Sequence, residues 1–292
     1  MIDTARRADE QIPHRAGLNR RTPQGPLLLR EAPPKLEPFA AGPYSVRLAE
    51  SGEEIEAAQR LRYEVMYGEW GGKPDPAKVA SRSDADEWDP LAYHIIVTDG
   101  RADGRVVGTL RLVSNLCLEP GQRFYTEAAF DLSKLRDRYG KILELTRFCI
   151  DPDGRHGVIL MLIWKFAMQF IAETRTEVMM GCASFTGMDA VVHGDVLHHL
   201  QREYMAPEDL RPSPVVDNFV RIDDLPVGDA EGAERKIPTL LRGYLKLGAR
   251  VSDTAIIDPV FNSTFICIYV DAASMAGEDT VLVTARAEGE RP

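Results

Sequence analysis

Two charged residues interrupt an otherwise apolar segment at residues 142–150, and their chemistry is the most informative feature of this chain. The segment is short and rich in aliphatic, aromatic and β-branched residues, which is typical of a buried strand. It nevertheless contains Glu144 and Arg147. A buried charge costs several kcal/mol unless it is paired or has a function. Glu144 could accept a proton and Arg147 could bind a carboxylate, or the two could form a buried ion pair that braces the sheet.

The segment that follows is typical of a phosphate-binding turn. It reads Asp151-Pro-Asp-Gly-Arg-His-Gly157 and leads into a long apolar segment. A glycine-containing turn at a helix N-terminus can present backbone N–H groups to a phosphate, and Arg155 adds a positive charge. The apolar segment at 158–172 is shorter than the ~20 residues that a bilayer requires. Its apolar residues recur at helical spacing, which predicts a core helix packed on a sheet.

Length and composition allow a sizeable core, in one large domain or two small ones. The chain has 292 residues, 44% of them hydrophobic, and a net charge of −10. An acidic chain argues against a nucleic-acid partner, which would require a basic surface. The four cysteines lie far apart without metal-ligand spacing. We therefore expect reduced thiols in a cytoplasmic protein, and no metal site.

Residues 1–43 differ in composition from the rest. They contain seven Pro and carry a net charge of +2, which leaves −12 for residues 44–292. This predicts a disordered Pro/Arg-rich tail that could make a weak contact with anionic lipid at the inner membrane face. Residues 276–292 are expected to form a C-terminal tail, so the predicted domain spans 44–275.

Periodicity and turn residues predict the order of the elements inside this domain. A strand at 44–48 is followed by a helix at 52–66, for which Ser51 is the expected N-cap. Residues 68–90 form a long polar loop, which is a candidate functional loop. A hairpin at 94–113, the strand at 142–150 and the helix at 158–173 follow, and further strands are predicted at 177–183, 251–257 and 264–270. This order predicts a single α/β (α+β) domain with a mixed central sheet flanked by helices.

Several motifs together resemble a known family, the acyl-carrier-protein-dependent N-acyltransferases that make lyso-ornithine lipid. More distantly they resemble acyl-homoserine-lactone synthases, and both belong to the Gcn5-related N-acetyltransferase (GNAT) superfamily. The matching motifs are Leu61-Arg-Tyr-Glu-Val65, Asp86-Glu-Trp-Asp-Pro90, Val107-Gly-Thr-Leu-Arg111, Glu144-Leu-Thr-Arg147, Gly181-Cys-Ala-Ser-Phe-Thr-Gly-Met-Asp189 and Leu241-Arg-Gly-Tyr-Leu-Lys-Leu-Gly248. Tyr93 stands where the family usually has Asp, and Phe148 where it usually has a small residue.

The resemblance implies a function and roles for individual residues. The function would be transfer of a fatty, 3-hydroxy acyl group from acyl carrier protein to the α-amine of ornithine, a small amino-acid substrate, with no bound cofactor. The roles would be as follows: Glu144 and Arg147 catalytic, Arg62, Asp86, Asp89 and Arg111 substrate-binding, and Arg155 and Gly157 phosphopantetheine-binding. Asp86 and Asp89 could hold the side-chain ammonium group of the acceptor, or they could belong to a solvated acidic loop.

Alternative functions remain open from the sequence. They are an acyl-homoserine-lactone-synthase-like or other amine N-acyltransferase, and a non-catalytic acyl-carrier-binding module. The catalytic assignment makes one geometric prediction. Residues three apart on a regular strand point to opposite faces, so Glu144 and Arg147 can share a site only if a bulge or splay lies between Leu145 and Phe148.

Overall fold

The computed structural model describes residues 32–154, 157–228 and 230–276. These residues form eleven strands and seven α-helices. The strands are β1 Phe39–Ala41, β2 Tyr44–Leu48, β3 Tyr93–Asp99, β4 Arg105–Ser114, β5 Phe130–Asp131, β6 Ile142–Ile150, β7 Val178–Thr186, β8 Ser213–Pro214, β9 Phe219–Arg221, β10 Arg250–Asp258 and β11 Ser263–Asp271. The helices are α1 Gly52–Tyr63, α2 Pro76–Ser81, α3 Ser133–Arg138, α4 Val158–Thr174, α5 Gly194–Tyr204, α6 Ala230–Ala233 and α7 Thr239–Lys246.

A nine-stranded mixed sheet forms the centre of the domain. Its strand order is β1-β2-β3-β4-β6-β7-β11-β10-β9, and β5 pairs with β8 in a separate small sheet. Within the large sheet β6 and β7 run parallel, whereas the other neighbouring strands are antiparallel. The parallel pair is connected by α4, as a crossover requires. The predicted fold class, a mixed sheet flanked by helices, is confirmed.

Helices cover both faces of the sheet, and side-chain alternation along β3 assigns each residue to a face. Ile95 and Val97 pack in the cluster that contains α4, while Ile96 packs with α1. Tyr93 belongs to the α4 face, where its ring lies 5.1 Å from Phe170. The tyrosine that stands at position 93 in place of the usual Asp therefore changes the core on the α4 face of the sheet, and not the face that α1 covers.

The structure corrects the predicted start of the folded domain. Residues 39–41 form β1, which pairs with β2, and the ring of Phe39 lies 6.0 Å from that of Phe166 in α4. Phe39, the first residue of this short strand, packs on the core and so holds β1 at the edge of the sheet. The Pro-rich composition had predicted a tail here. Most of that tail, like nearly all of the C-terminal tail at 276–292, lies outside the described residues.

The predicted irregularity in β6 is confirmed. Thr146 pairs with Arg111 and Cys149 pairs with Thr109, so two residues of β6 face Leu110 alone. That two-to-one count defines a β-bulge. Arg147 has a φ of 58°, a left-handed conformation. Its side chain is thereby rotated out of the regular alternation.

No helix among the described residues is long and apolar enough to cross a membrane. The longest, α4, spans 17 residues and lies against β2, β3 and β4. Its apolar stripe is buried in the core, as predicted.

Candidate active site

A large cavity, which we call the main cavity, begins where β6 and β7 separate. Their parallel pairing ends at Leu145 and Gly181. A Cβ atom on Gly181 would lie 2.4 Å from the carbonyl oxygen of Leu145, so only glycine allows the two strands to approach so closely before they diverge. Beyond this point a cavity of about 510 Å³ opens, lined mainly by apolar residues of β6, β7, α7 and β11. Phe148 is part of its wall.

Arg147 places a guanidinium group at the wall of this main cavity. The bulge turns its side chain towards two aromatic rings, and the guanidinium carbon lies 4.7 Å from the ring centre of Tyr125 and 4.9 Å from that of Phe261. Cation–π contacts at this distance stabilise a buried guanidinium. The side chain is only 5% exposed, so its orientation is fixed by its neighbours.

A buried ionic cluster lies behind Arg147. It consists of three arginines and three aspartates: Arg62, Arg111, Arg147, Asp84, Asp86 and Asp89. The arginines come from α1, β4 and β6, and the aspartates come from the loop between α2 and β3. The cluster therefore fixes this loop over the sheet.

Asp84 is the residue that links most of the cluster. Its carboxylate accepts hydrogen bonds from Nε of Arg62 at 3.1 Å and from Nε of Arg147 at 2.8 Å. It also accepts from the hydroxyl of Tyr67 and from Nζ of Lys78, both at 3.0 Å. A carboxylate with four donors is a fixed part of the structure.

Asp89 and Asp86 complete the cluster. Asp89 accepts from Nη1 of Arg62 at 2.8 Å, from Nη1 of Arg111 at 3.1 Å and from the amide of Gln59 at 2.9 Å. Asp86 bridges Nη1 of Arg111 at 2.5 Å and Nη2 of Arg147 at 3.0 Å. Both aspartates are thus already bound to guanidinium groups.

The charges in the cluster are stabilised by one another. Burial alone would raise the pKa of Asp84, but Arg147 and Arg62 outweigh that effect and hold it well below its usual range. The pKa of Asp89 is lowered in the same way by its arginine partners. His94, which contacts the Asp89 carbonyl at 3.0 Å, has its pKa lowered by burial to about 4 and is therefore neutral at neutral pH.

In this structure the predicted substrate-binding residues bind one another. Arg62 is fully buried and its nitrogens bind Asp84 and Asp89, so it anchors the loop, and its predicted contact with substrate stays a prediction. Asp86 and Asp89 were expected to hold an ammonium group, yet both already bind guanidinium groups. The arginines of the cluster are suited to recognise carboxylates, but the carboxylates that they bind belong to the protein itself.

Arg111 keeps one donor that is not used in this way. Its Nη1 and Nε are bonded, whereas Nη2 is buried without a partner among the described residues. The side chain is 0% exposed and lines none of the described cavities. Contact between Arg111 and a substrate would therefore require residues 84–89 to move, and the predicted role stays a prediction.

Glu144 is held by backbone groups. Its two carboxylate oxygens accept from the N–H of Tyr125 at 3.1 Å and of Thr126 at 2.7 Å. Burial raises the pKa of Glu144, although the hydrogen bonds from Thr126 oppose the shift. No ion pair joins it to Arg147 in the described structure, so the bracing ion pair considered above is wrong. Glu144 is fully buried and is held by the turn at 125–126, of which Tyr125 lines the main cavity.

The predicted phosphate-binding turn is only partly described. Gly157 lines the main cavity and has a φ of 83°, a left-handed conformation that favours glycine, directly before α4. Arg155 lies outside the described residues. Among those described, no three His, Cys, Asp or Glu side chains are arranged to hold a metal ion.

A second, smaller cavity of about 50 Å³ adjoins the main one. Residues shared by both linings are Tyr125, Cys182, Asp258, Phe261 and Phe265. Asp258 and Tyr125 were not predicted from sequence, and neither was Asp84. The 84–89 segment contains four acids, and its three aspartates equal in number the arginines at 62, 111 and 147. This concentration of acids in one segment is the signal that could have identified Asp84.

Comparison with known proteins identifies the family. Residues 61–165 match the Acetyltransferase (GNAT) domain. The chain is 36% identical to the L-ornithine N(alpha)-acyltransferase of Rhodobacter capsulatus over 260 residues, covering 86% of this chain and 99% of that protein. It is 30% identical to the enzyme of the same name from Agrobacterium fabrum, covering 81% and 83% of the two chains. A solved CoA-dependent acyl-homoserine lactone synthase is 14% identical, with coverage of 81% and 83% and a TM-score of 0.42. The sequence relatives show that this chain is an acyltransferase and that it belongs to the L-ornithine N(alpha)-acyltransferase family.

Proposed function

We propose that this enzyme transfers a fatty acyl group from the phosphopantetheine arm of acyl carrier protein to the α-amine of ornithine. The names of the sequence relatives support the acceptor and the reaction. The observation that carries the proposal is the main cavity, which joins an apolar interior to Gly157 at one wall and to Arg147 at another. At roughly 30 Å³ of liquid volume for each water-sized group, about 510 Å³ holds on the order of 17 such groups. That is enough for a long acyl chain.

The reaction forms an amide bond and breaks a thioester bond. The acceptor nitrogen attacks the thioester carbonyl carbon, the carbon–sulfur bond breaks, and the thiolate leaves on phosphopantetheine. The amine must lose a proton, and we assign Glu144 as the base that accepts it. The proton would reach Glu144 through a water molecule or after a movement of the 125–126 turn. Arg147, at the cavity wall, would bind the acceptor carboxylate. Backbone N–H groups at the β6 bulge would stabilise the oxyanion.

Acyl carrier protein is favoured over coenzyme A as the donor. CoA-dependent relatives often carry a further small residue after the turn, whereas this chain has Val158 and Ile159 after Gly157. A reduced phosphate site suits the single phosphodiester of a carrier protein. The product joins a fatty chain to an amino acid and would enter a membrane readily, which supports action at the inner membrane face.

The test is a direct assay with defined substrates. The purified protein is incubated with 3-hydroxyacyl carrier protein and ornithine, and products are identified by mass spectrometry after fragmentation that separates α- from δ-acylation. We expect α-N-acyl ornithine and faster turnover with the carrier protein than with acyl-CoA of equal chain length. Acylation of other amines but not ornithine would refute the acceptor, and no transfer with any donor would leave only a carrier-binding role.

A further inference from the structure

We infer that the smaller cavity beside Asp258 receives the side-chain ammonium group of the acceptor. This inference rests on the proposed function, because it takes an amino acid with a basic side chain as the substrate. It assigns to Asp258 and Glu87 the role that sequence patterns gave to Asp86 and Asp89.

The smaller cavity has the chemistry of an organic-cation site. Glu87 and Asp258 supply two carboxylates, and Trp88, Tyr125 and Phe261 supply aromatic rings. An ammonium group is stabilised both by carboxylates and by the faces of aromatic rings. Carboxylates would repel an anionic group in the same space.

Position also favours this assignment. Asp258, Tyr125 and Phe261 line both cavities, so the two cavities meet at these side chains. Arg147 lies over the rings of Tyr125 and Phe261. An acceptor at this junction would have its carboxylate beside Arg147, its α-amine towards the main cavity and its side chain beside Asp258.

The size of the smaller cavity suits the end of a basic side chain. At roughly 30 Å³ of liquid volume for each water-sized group, about 50 Å³ holds on the order of two such groups. The terminal ammonium group of ornithine and the methylene group next to it would occupy this space, and the rest of the side chain would lie where the two cavities meet.

Asp258 is held in position by its own turn. It ends β10 and its Oδ1 accepts from the N–H groups of Val260 at 2.8 Å and Phe261 at 3.2 Å. The residue is only 3% exposed, so its charge is little screened by solvent. Glu87 is exposed, so it should contribute less than Asp258.

The experiment compares ornithine with norvaline, which has the same carbon chain but no side-chain amine. With acyl carrier protein as donor, kcat/KM for α-N-acylation is measured for wild type and for Asp258→Asn, which keeps the oxygen that caps the turn. Wild type should prefer ornithine by roughly 10²–10³-fold, the effect expected when one member of a buried charged pair is removed. In Asp258→Asn, kcat/KM for ornithine should fall so far that most of the preference is lost, whereas kcat/KM for norvaline should change little.

Two further variants control the measurement. Asp131→Asn changes another turn-capping aspartate, which accepts from the N–H of Ser133 at 2.9 Å and lines neither cavity, and it should keep the wild-type preference. Glu87 lies on the surface, so Glu87→Gln tests whether the smaller cavity binds the ammonium group even if Asp258→Asn does not fold. It should reduce the preference by a few-fold.

Each other result has a definite meaning. Equal kcat/KM for ornithine and norvaline in wild type would overturn the inference and leave the proposed function intact. Equal loss of both activities in folded Asp258→Asn would also overturn it, because Asp258 would then serve the α-amine. Acylation of neither compound by wild type would refute the proposed function itself.

Discussion

The substitution Glu144→Gln tests the central assignment of the proposed mechanism. Each carboxylate oxygen of Glu144 accepts one backbone N–H, from Tyr125 and from Thr126. Glutamine has a single carbonyl oxygen, so one N–H would face an NH₂ group. A buried donor without an acceptor costs about 1–3 kcal/mol, and in a domain of this size each kcal/mol lowers Tm by roughly 2–4 °C. We therefore expect a fall in Tm of about 2–12 °C.

The effect on turnover separates a base from a scaffold. If Glu144 takes the proton of the amine, Glu144→Gln should reduce turnover by roughly 10²–10⁴-fold. Because burial raises its pKa, wild-type kcat/KM should also rise with pH as Glu144 ionises, and this part of the profile should be absent from the variant. Turnover is measured by release of the carrier thiol, and Tm is measured on the same preparations.

The stabilisation that Glu144 gives to the wild type should fall as pH rises, whereas kcat/KM rises. A pKa that is higher in the folded than in the unfolded protein stabilises the fold below the unfolded value, and this stabilisation is lost as pH rises through the folded value. The difference in free energy of unfolding between wild type and Glu144→Gln should thus be largest near pH 4 and smaller at neutral pH.

The matched control is Glu127→Gln. Glu127 accepts from the N–H of Phe124 at 2.8 Å, so it holds the same turn from another side, and it also binds Arg136. This variant should lower Tm while turnover stays within a few-fold of wild type. Equal losses of turnover in both variants would show that the shape of the turn matters and not the carboxylate. Near-normal turnover of Glu144→Gln would refute the role of Glu144 as base.

Three further substitutions test the architecture around the site. Asp84→Asn removes a charge that faces two buried arginines, so we expect a loss of about 3–5 kcal/mol in chemical denaturation. Because the folded pKa of Asp84 is lowered, the wild-type advantage should be present above pH 4 and should disappear on acidification. Gly181→Ala places a Cβ against the carbonyl of Leu145, so soluble yield or turnover should fall sharply, and an unaffected variant would contradict the strand geometry. Phe39→Ala should lower stability by about 1–3 kcal/mol, with Phe39→Leu as the control. No change in urea denaturation would mean that β1 does not contribute to the domain.

Local patterns were sufficient to predict much of the fold. The bounds of β2 and β6 and the start of α4 follow from periodicity and from the glycine turn. The bulge followed from a stronger argument, since Glu144 and Arg147 could share a site only if the alternation between them failed. A functional requirement thus predicted a backbone irregularity, and the left-handed φ of Arg147 is that irregularity.

The partners of the charged residues could not be predicted in the same way. Arg147 binds Asp84, 63 residues away, and Arg62 binds Asp89, 27 residues away. No periodic pattern specifies pairs so far apart in sequence, because the choice depends on how the loop folds over the sheet. The sequence shows which groups are charged, and only the fold shows which charges are already compensated.

The ionic cluster has a consequence for how Arg147 can act. A left-handed conformation costs a non-glycine residue roughly 1–2 kcal/mol, and the bonds from Arg147 to Asp84 and Asp86 offset that cost. Asp84 is shared with Arg62 and Lys78, and Asp86 is shared with Arg111.

Lys78, which also binds Asp84, adds a fourth cation to the three arginines. With His94 neutral, the cluster and Lys78 together carry four positive charges against three negative ones, so their net charge is positive. Arg147 is the member that lies at the wall of the main cavity. The cluster therefore fixes Arg147 in place without cancelling its charge. A fixed, partly compensated guanidinium can attract the carboxylate of an acceptor at little cost in side-chain entropy. The negative charge of Asp258 across the junction then determines which amino acids fit.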